Sequence, residues 1–573
     1  MRKLKLLFYF SFFIFHFSFA QSWLWGKNGV GNLKSIYANI SVAGDKFGNA
    51  YMGGEYNTTV IFYPDTLNYY YHNAFLVKYD SSGNVLWAKQ PTAITSSSSF
   101  GYADATDTFR NIFTTGCFFD GNLAFGTDTL KVNTGIYNVF LAKYNSSGQV
   151  LWARQSTGNN NWYYQYDVAA DIAGDAFITG YYEDTLKFGA YTLHSFYNTL
   201  DGMFLVKYDS AGNLLWATCS GGTGNIRGYG VAADSSGNSY VTGIFANTVS
   251  FGYDTLKSPG RQQIFLVKYD QGGNVLWANQ TSGLVGWSLT VTTDISGNAY
   301  VSGYFADTLM FGSVTLIGSS TGYNFFIASY DANGNVRWAK QSLGNGGWQG
   351  TKLCSDANAH IYLTGSTDNP AGAFDTLIYD GHTLTTYGKY SASFLLEVDS
   401  WGNYICGSLL ANGFGNSNSL SGCSADPSGK YIYQTGIQSS DSIYFDRDTI
   451  YSTREAPYIA RWTGCGNNTE TYASSTSSTP YLSLFPNPNN GQFTIQNVGV
   501  QNFVPTTIEI YNVLGEKVYT AASPQTSRNQ FGIGSKGALM AVNIGNQPNG
   551  IYLYRVLQED GSLIGEGKVI IEK

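Results

Sequence analysis

The chain has 573 residues, of which 12% are charged and 16% aromatic, with 67 Gly, 44 Tyr, 36 Phe and a formal net charge of −7. Few helix-favouring Glu, Lys and Arg against many Tyr, Phe and Gly exclude a charge-rich disordered chain and a long coiled coil, and predict an all-β protein. An acidic balance without a basic run excludes nucleic acid as a partner.

Met1 to Lys5 is a positive stretch, Leu6 to Phe17 is apolar, and Ser18-Phe-Ala20 places small residues where a signal peptidase reads. Residues 1–20 are therefore expected to be a secretory signal peptide, with the mature chain starting near Gln21. Removing Arg2, Lys3 and Lys5 leaves 29 basic against 39 acidic side chains, a net charge of −10. Residue 21 is not Cys, so the site lacks the thiol a lipoprotein anchor needs. No later stretch reaches the roughly 18 apolar residues of a spanning helix, so no transmembrane span is expected. Cys117, Cys219, Cys354, Cys406, Cys423 and Cys465 form no CxxC pair and read as structural, as thiols or disulfides of an exported chain.

Past the leader the sequence repeats seven times with a period of about 62 residues. Each unit opens on an Asp-containing turn and a strand, as in Asp234-Ser-Ser-Gly-Asn-Ser-Tyr-Val-Thr-Gly243, passes through an arm such as Phe251 to Leu256, and ends on a hairpin such as Phe265 to Ala278. The opening Asp recurs at Asp45, Asp107, Asp171, Asp234, Asp294, Asp356 and Asp426. The closing Trp recurs at Trp87, Trp152, Trp216, Trp277 and Trp338, and Cys406 takes its place in the sixth unit. The seventh unit stops near Asn467 without a closing strand, while Ser22-Trp-Leu-Trp-Gly-Lys27 matches a closing strand and has no unit in front of it. Residues 21–467 are therefore predicted to be a seven-bladed β-propeller whose last blade the N-terminal strand completes, which protects the sheet edges. The Asp-x-x-Gly-Asn-x-Tyr-Val-Thr-Gly and Phe-Leu-Val-Lys-Tyr-Asp stretches resemble the SBBP-type bacterial β-propeller repeat, a resemblance that implies this fold and assigns no chemistry.

Residues 468–480 turn Ser/Thr-rich and read as a linker. Residues 481–573 break the repeat and predict a small Ig-like β-sandwich, with strands at Gln492 to Ile495, Thr507 to Tyr511, Glu516 to Tyr519, Gly550 to Leu557 and Gly567 to Ile571. Leu484-Phe-Pro-Asn-Pro-Asn-Asn-Gly-Gln-Phe493, Ile510-Tyr-Asn-Val-Leu-Gly-Glu-Lys-Val518 and Pro548-Asn-Gly-Ile-Tyr-Leu-Tyr-Arg-Val556 resemble the type A C-terminal sorting domain of Bacteroidetes type IX secretion cargo. By position Pro486, Asn487, Pro488, Gly491, Phe493, Gly550, Tyr552 and Lys568 carry that pattern. The resemblance implies handling by the type IX machinery at the outer membrane and a secreted or surface location.

No HExxH, GxSxG or P-loop pattern occurs, and neither a catalytic residue, a metal nor a cofactor is expected. His72 and His194 read as surface-loop residues. The Asp-Ser-Ser-Gly-Asn loops carry one carboxylate each and read as turns, not calcium loops. Asp-Thr-Leu or Asp-Thr-Ile recurs and is similar to a Bacteroidetes O-glycosylation acceptor at Thr66, Thr129, Thr185, Thr255, Thr308, Thr376 and Thr449, although a turn entering a strand accounts for it as well. The variable segments joining each closing strand to the next unit are predicted to meet on one face, where Trp162, Tyr164, Tyr229, Trp287 and Trp348 would offer aromatic platforms to a glycan or protein. The expected function is a noncatalytic adhesion or binding module, against a polysaccharide hydrolase or lyase with two acids in a cleft, or a purely structural surface component.

Overall fold

The computed structural model describes residues 23–31, 40–94, 97–132, 135–158, 167–195, 201–258, 260–319, 322–344, 348–367, 376–385, 393–412, 419–426, 428–438, 442–445, 448–452, 456–463, 481–485, 490–498, 507–512, 516–522, 539–557 and 563–573. The expected signal peptide and the segment 468–480 lie outside them. Two compact units result, residues 1–469 and 470–573. Among the described residues there are strands and turns and no helix.

In the first unit one antiparallel pattern recurs. Asn225–Ala233 pairs with Ser239–Ala246, which pairs with Gln263–Tyr269, which pairs with Val275–Gln280. The same four-strand order starts from Ser41–Gly44, Ser98–Thr106, Asp167–Ala170, Ser282–Thr293 and Trp348–Ser355. Ser419–Ala425 starts a seventh sheet, in which Ala456–Trp462 takes its fourth neighbour, Trp23–Asn28, from the other end of the chain. The middle strands are buried along their whole length, as in Gly202–Tyr208, because neighbouring sheets cover both of their faces.

The first strands lie side by side. Val231 N–H donates to Asp167 Oδ2 at 3.0 Å, Leu353 N–H to Thr290 Oγ1 at 3.2 Å, and Gly44 N–H to Ser424 Oγ at 2.8 Å. The last contact joins the first strand of the first sheet to the first strand of the seventh.

These first strands correct the sequence-based unit, which opened one strand too late. Segments read as loops, Ser282 to Trp287 among them, lie inside strands. The period-2 signal fails there because a bulge shifts the register between Gly101 and Ala103, Gly228 and Gly230, Ser288 and Thr290, Gly350 and Lys352, and Leu420 and Gly422. Crowding supplies the second reason: a Cβ on Gly230 would stand 3.0 Å from Thr290 Cα, so small residues replace the apolar ones that announce a strand.

The second unit has one sheet of Tyr481–Phe485, Gln492–Val498 and Leu539–Asn543 and another of Lys517–Ala522, Thr507–Asn512, Gly550–Leu557 and Leu563–Ile571. Phe493 and Val542 of the first share a core with Ile508, Tyr554 and Val569 of the second. The five strands predicted here are present; Tyr481–Phe485 and Leu539–Asn543 are additions.

Candidate functional site

The repeated Asp-x-x-Gly-Asn turns build the seams between sheets. In the inner turn Asp234 Oδ1 accepts from Ser236 N–H and Asn238 N–H, each at 3.0 Å, and Oδ2 accepts from Asn238 Nδ2 at 2.9 Å. The seven opening Asp are all buried. A buried carboxylate is stable only when paired, and a buried Lys on the third strand supplies the charge: Lys143 lies 3.0 Å from Asp107, Lys207 3.3 Å from Asp171 and Lys268 3.4 Å from Asp234. The outer turn receives the neighbouring sheet. Ser146 O accepts from Trp87 Nε1 at 3.2 Å and Lys78 Nζ at 2.8 Å, Ser210 O from Trp152 and Lys143, both at 3.2 Å, and Ala332 O from Trp277 at 3.1 Å and Lys268 at 3.3 Å. The turn Gly lies flat on the same indole: a Cβ on Gly148 would come within 2.9 Å of Trp87, and positive φ there favours Gly independently. Calcium is not needed to explain these carboxylates.

Aromatic residues gather at the end of the sheets where first strands begin and second strands finish. Trp287 stacks on Tyr304 with centroids 5.1 Å apart, and Tyr323 meets both edge-on at 5.9 and 5.2 Å. All three are partly exposed. One sheet earlier, Tyr229 meets Tyr181 edge-on at 5.8 Å, and Arg227, over the Tyr181 ring at 5.0 Å, pairs with Asp201 at 2.5 Å. Tyr229 and Trp287 thus belong to separate clusters. Trp348 opens the strand Trp348–Ser355, and Trp162 and Tyr164 lie outside the described residues. A third cluster escaped sequence reasoning. His72 is not a loop residue: it pairs in register with Asn57 and stacks on Phe100 at 5.1 Å, with Nδ1 3.8 Å from Glu55 Oε2. Burial holds its pKa below the ordinary imidazole value. His194 ends the arm strand Tyr191–His194 and is exposed, a strand position instead of the expected loop.

Two more carboxylates stand among the first strands. Asp167 meets Lys352 at 3.3 Å, a contact between the third and sixth sheets. Asp104 sits at the register position held by Val168 and Val231 elsewhere. It accepts from Ser41 Oγ and fills the space that Gly53, a Thr or Ser position in the other sheets, leaves open. Burial pushes its carboxyl up to about 6, against hydrogen bonds from Ser41, Thr114 and the Gly53 backbone. An acid whose pKa is higher folded than unfolded binds its proton more tightly in the native state, so this site loses stability as pH rises from about 4 to about 6. Asp104→Asn is expected to gain roughly 2 kcal/mol at pH 8 and nothing at pH 4. Denaturant melts at the two pH values check this, and an equal effect at both would refute it.

The Asp-Thr-Leu recurrences occupy two different places. Asp65, Asp128, Asp254 and Asp448 follow the arm turn and start its return strand, where Asp65 and Asp128 accept from Ala88 N–H and Ala153 N–H at 2.7 and 2.8 Å. Asp184 and Asp307 enter the arm with φ of 63° and 66°. Thr66, Thr129 and Thr255 are exposed, whereas Thr185 and Thr308 are partly buried and bonded to the preceding Asp. Thr376 and Thr449 lie in the strands Thr376–Tyr379 and Asp448–Tyr451. Of the cysteines, Cys354 and Cys423 form a disulfide, Cys406 is disulfide-bonded, and Cys117 and Cys219 are free.

In the second unit Gly491 takes φ +97°, where a Cβ would stand 2.5 Å from Gly545 Cα, so only glycine fits the turn. Phe493 and Tyr552 are core residues, and Tyr552 OH donates to Pro548 O at 2.9 Å. Gly550 and Lys568 pair across strands with Ile571 and Leu553. Pro486, Asn487 and Pro488 lie outside the described residues.

A family model described as a secretion system C-terminal sorting domain matches residues 483–572, and one described as the SBBP beta-propeller repeat matches residues 215–243. An uncharacterized WD repeat-containing protein of Acanthamoeba polyphaga mimivirus is 26% identical over 365 residues, 51% of this chain and 26% of its own length. The chain thus spans about a quarter of that relative. Among solved structures, Kuenenia stuttgartiensis hydrazine synthase is similar at 10% identity and a TM-score of 0.37, over 74% of this chain and 99% of that one. A protein of unknown function from Dyadobacter fermentans is similar at 9% identity and 0.34, over 76% and 99%. The chain carries an SBBP-type β-propeller repeat followed by a type IX secretion C-terminal sorting domain, the mark of a protein exported by that system to the cell surface or beyond it.

Proposed function

We propose that the chain is a seven-bladed β-propeller whose seventh blade the N-terminal strand completes, and that it serves outside the cell as a noncatalytic binding module for a glycan or a protein. Closure is supported by the seam chemistry: Trp25 Nε1 and Arg461 donate to Ser81 O at 3.1 and 2.6 Å, as an indole and a cation together do to Ser146, Ser210, Ala332 and Ser400 O. Binding is supported by the Trp287–Tyr304–Tyr323 cluster, a partly exposed aromatic platform at the end of the sheets where the variable connections emerge. Flat apolar faces with polar rims suit sugar rings and peptide side chains.

A glycan and matrix-protein array, read for both binding and released products, tests the proposal. A saturable hit without turnover is expected, and Trp287→Ala is expected to weaken it about 30-fold, the effect of losing an anchor of about 2 kcal/mol. Unchanged affinity would remove this platform from the site. Product release would favour the second reading, an enzyme, which Glu55 beside His72 and Asp201 beside Arg227 support by bringing carboxylates to the same end of the sheets.

A further inference from the structure

The third-strand position that faces the opening Asp is Lys78, Lys143, Lys207 and Lys268 in the first four sheets, then Ser329, Glu397 and Arg461. Each Lys stands over the aromatic residue paired with it, 4.6 to 5.0 Å from the ring centroid. In the fifth sheet Ser329 removes the cation, and Arg337 on the adjacent strand replaces it, donating to Tyr300 OH at 3.2 Å, Ser329 Oγ at 3.0 Å and Ser400 O at 3.2 Å. The sixth sheet inverts the charge. Glu397 is buried where the Lys stood, and His360 occupies the turn position of Asn238, with Nδ1 3.0 Å from Glu397 Oε1 and 3.6 Å from Asp356 Oδ2. Cys406 takes the place of the Trp on the fourth strand.

We propose that the seam between the sixth and seventh sheets is a pH-gated joint, tight when His360 is protonated between Glu397 and Asp356 and loosened when the imidazole gives up its proton. A buried carboxylate pair needs a cation, and here the cation is one that titrates near neutrality. The charged groups facing the imidazole are Asp356 on its own turn, Glu397 on the third strand and Asp399 on the outer turn. From the seventh sheet, Asp426 bears on Tyr362, whose hydroxyl donates to Asp356 Oδ2 at 3.2 Å. The inner turn of that sheet also touches this one: Asn358 Nδ2 donates to Ser428 O at 3.4 Å, and a Cβ on Gly429 would collide with Asp356 Oδ2. Repulsion between unneutralised carboxylates therefore acts on a contact that joins two sheets.

The hydrogen bond that the His360 imidazole donates to Glu397 raises its pKa above the ordinary 6.5; burial opposes this, and the charges of Asp356, Glu397 and Asp399 reinforce it. A cationic group with a raised native pKa stabilises fully below its unfolded value, and the contribution fades as pH climbs through the native one. The joint is thus closed below about pH 6.5 and opens above it. This window lies above that of Asp104.

The test is hydrogen exchange of the whole exported chain from pH 6 to 9, corrected for intrinsic rates. Protection in Ile361–Thr367 and Ser393–Val398 is expected to fall by up to about tenfold per pH unit relative to Ser239–Ala246, whose sheet holds Lys268 against Asp234. The double variant His360→Asn, Glu397→Lys, which restores the arrangement of the fourth sheet, is expected to flatten the difference. Histidine NMR on the unaltered protein supplies an independent reading, with a His360 midpoint above 6.5. Equal slopes in the two sets of strands, or a midpoint at or below 6.5, would overturn the joint.

Discussion

A chain that begins at Val30 is expected to lose most of the stability of its first unit and to aggregate. The strand removed carries two buried indoles that face different neighbours. Trp23 is 1% exposed, packs edge-on against Phe445 at 5.5 Å and donates to Ser408 Oγ at 2.9 Å. Trp25, 7% exposed, lies 6.1 Å from Tyr433 and 6.4 Å from Tyr79, so it joins the seventh sheet to the first. Each indole is worth about 3–5 kcal/mol by truncation, so the pair reaches the order of a whole domain's margin of about 5–15 kcal/mol. Deletion also exposes the full edge of Ala456–Trp462, which Trp23–Asn28 otherwise pairs, and an open apolar edge invites association. Thermal melts and light scattering on residues 30–573 against 21–573 check this, with partial rescue expected from a peptide covering residues 21–31. A melt identical to that of the longer chain would refute closure by the N-terminal strand.

The pairing of Trp23–Asn28 with Ala456–Trp462 was legible because its signal is local. Trp-Leu-Trp-Gly-Lys resembles Val-Leu-Trp-Ala-Lys whatever the fold, and each Asp-x-x-Gly-Asn turn is written within five residues. What stayed hidden depends on register. Glu55 and His72 meet because they sit on paired strands, and Arg227 reaches Asp201 across 26 residues of sequence, so no spacing rule marks either pair. The first strands were missed for a different reason, since their bulges and glycines erase the alternation that identifies a half-buried strand. A Gln follows the closing Trp by three residues at Gln90, Gln155, Gln280 and Gln341, and in the last three its amide clamps the arm as a backbone partner would. Gln155, for instance, accepts from Lys131 N–H at 2.6 Å and donates to Lys131 O at 2.7 Å.

Breaking the Cys354–Cys423 disulfide is expected to cost about 4 kcal/mol, because it closes a loop of 69 residues in the unfolded chain. Its position makes the loss local as well as entropic. The bond ties Trp348–Ser355 to Ser419–Ala425, the first strands of the sixth and seventh sheets. At that seam Cys406 and Glu397 stand where the first, second and fourth sheets have a Trp and a Lys that donate together to the next turn. Six seams rest on an indole and a turn glycine: Trp25 with Gly83, Trp87 with Gly148, Trp152 with Gly212, Trp216 with Gly273, Trp277 with Gly334 and Trp338 with Gly402. Between the sixth and seventh sheets, where no indole–glycine contact is found among the described residues, a covalent bond joins the first strands, and such a bond persists only in an oxidising setting. Guanidinium unfolding of Cys354→Ala, Cys423→Ala is expected to show the full loss without reductant. A further fall on reduction should follow, since Cys406 is disulfide-bonded too. An unaltered midpoint in the double variant would mean that the sixth and seventh sheets hold together without the bond.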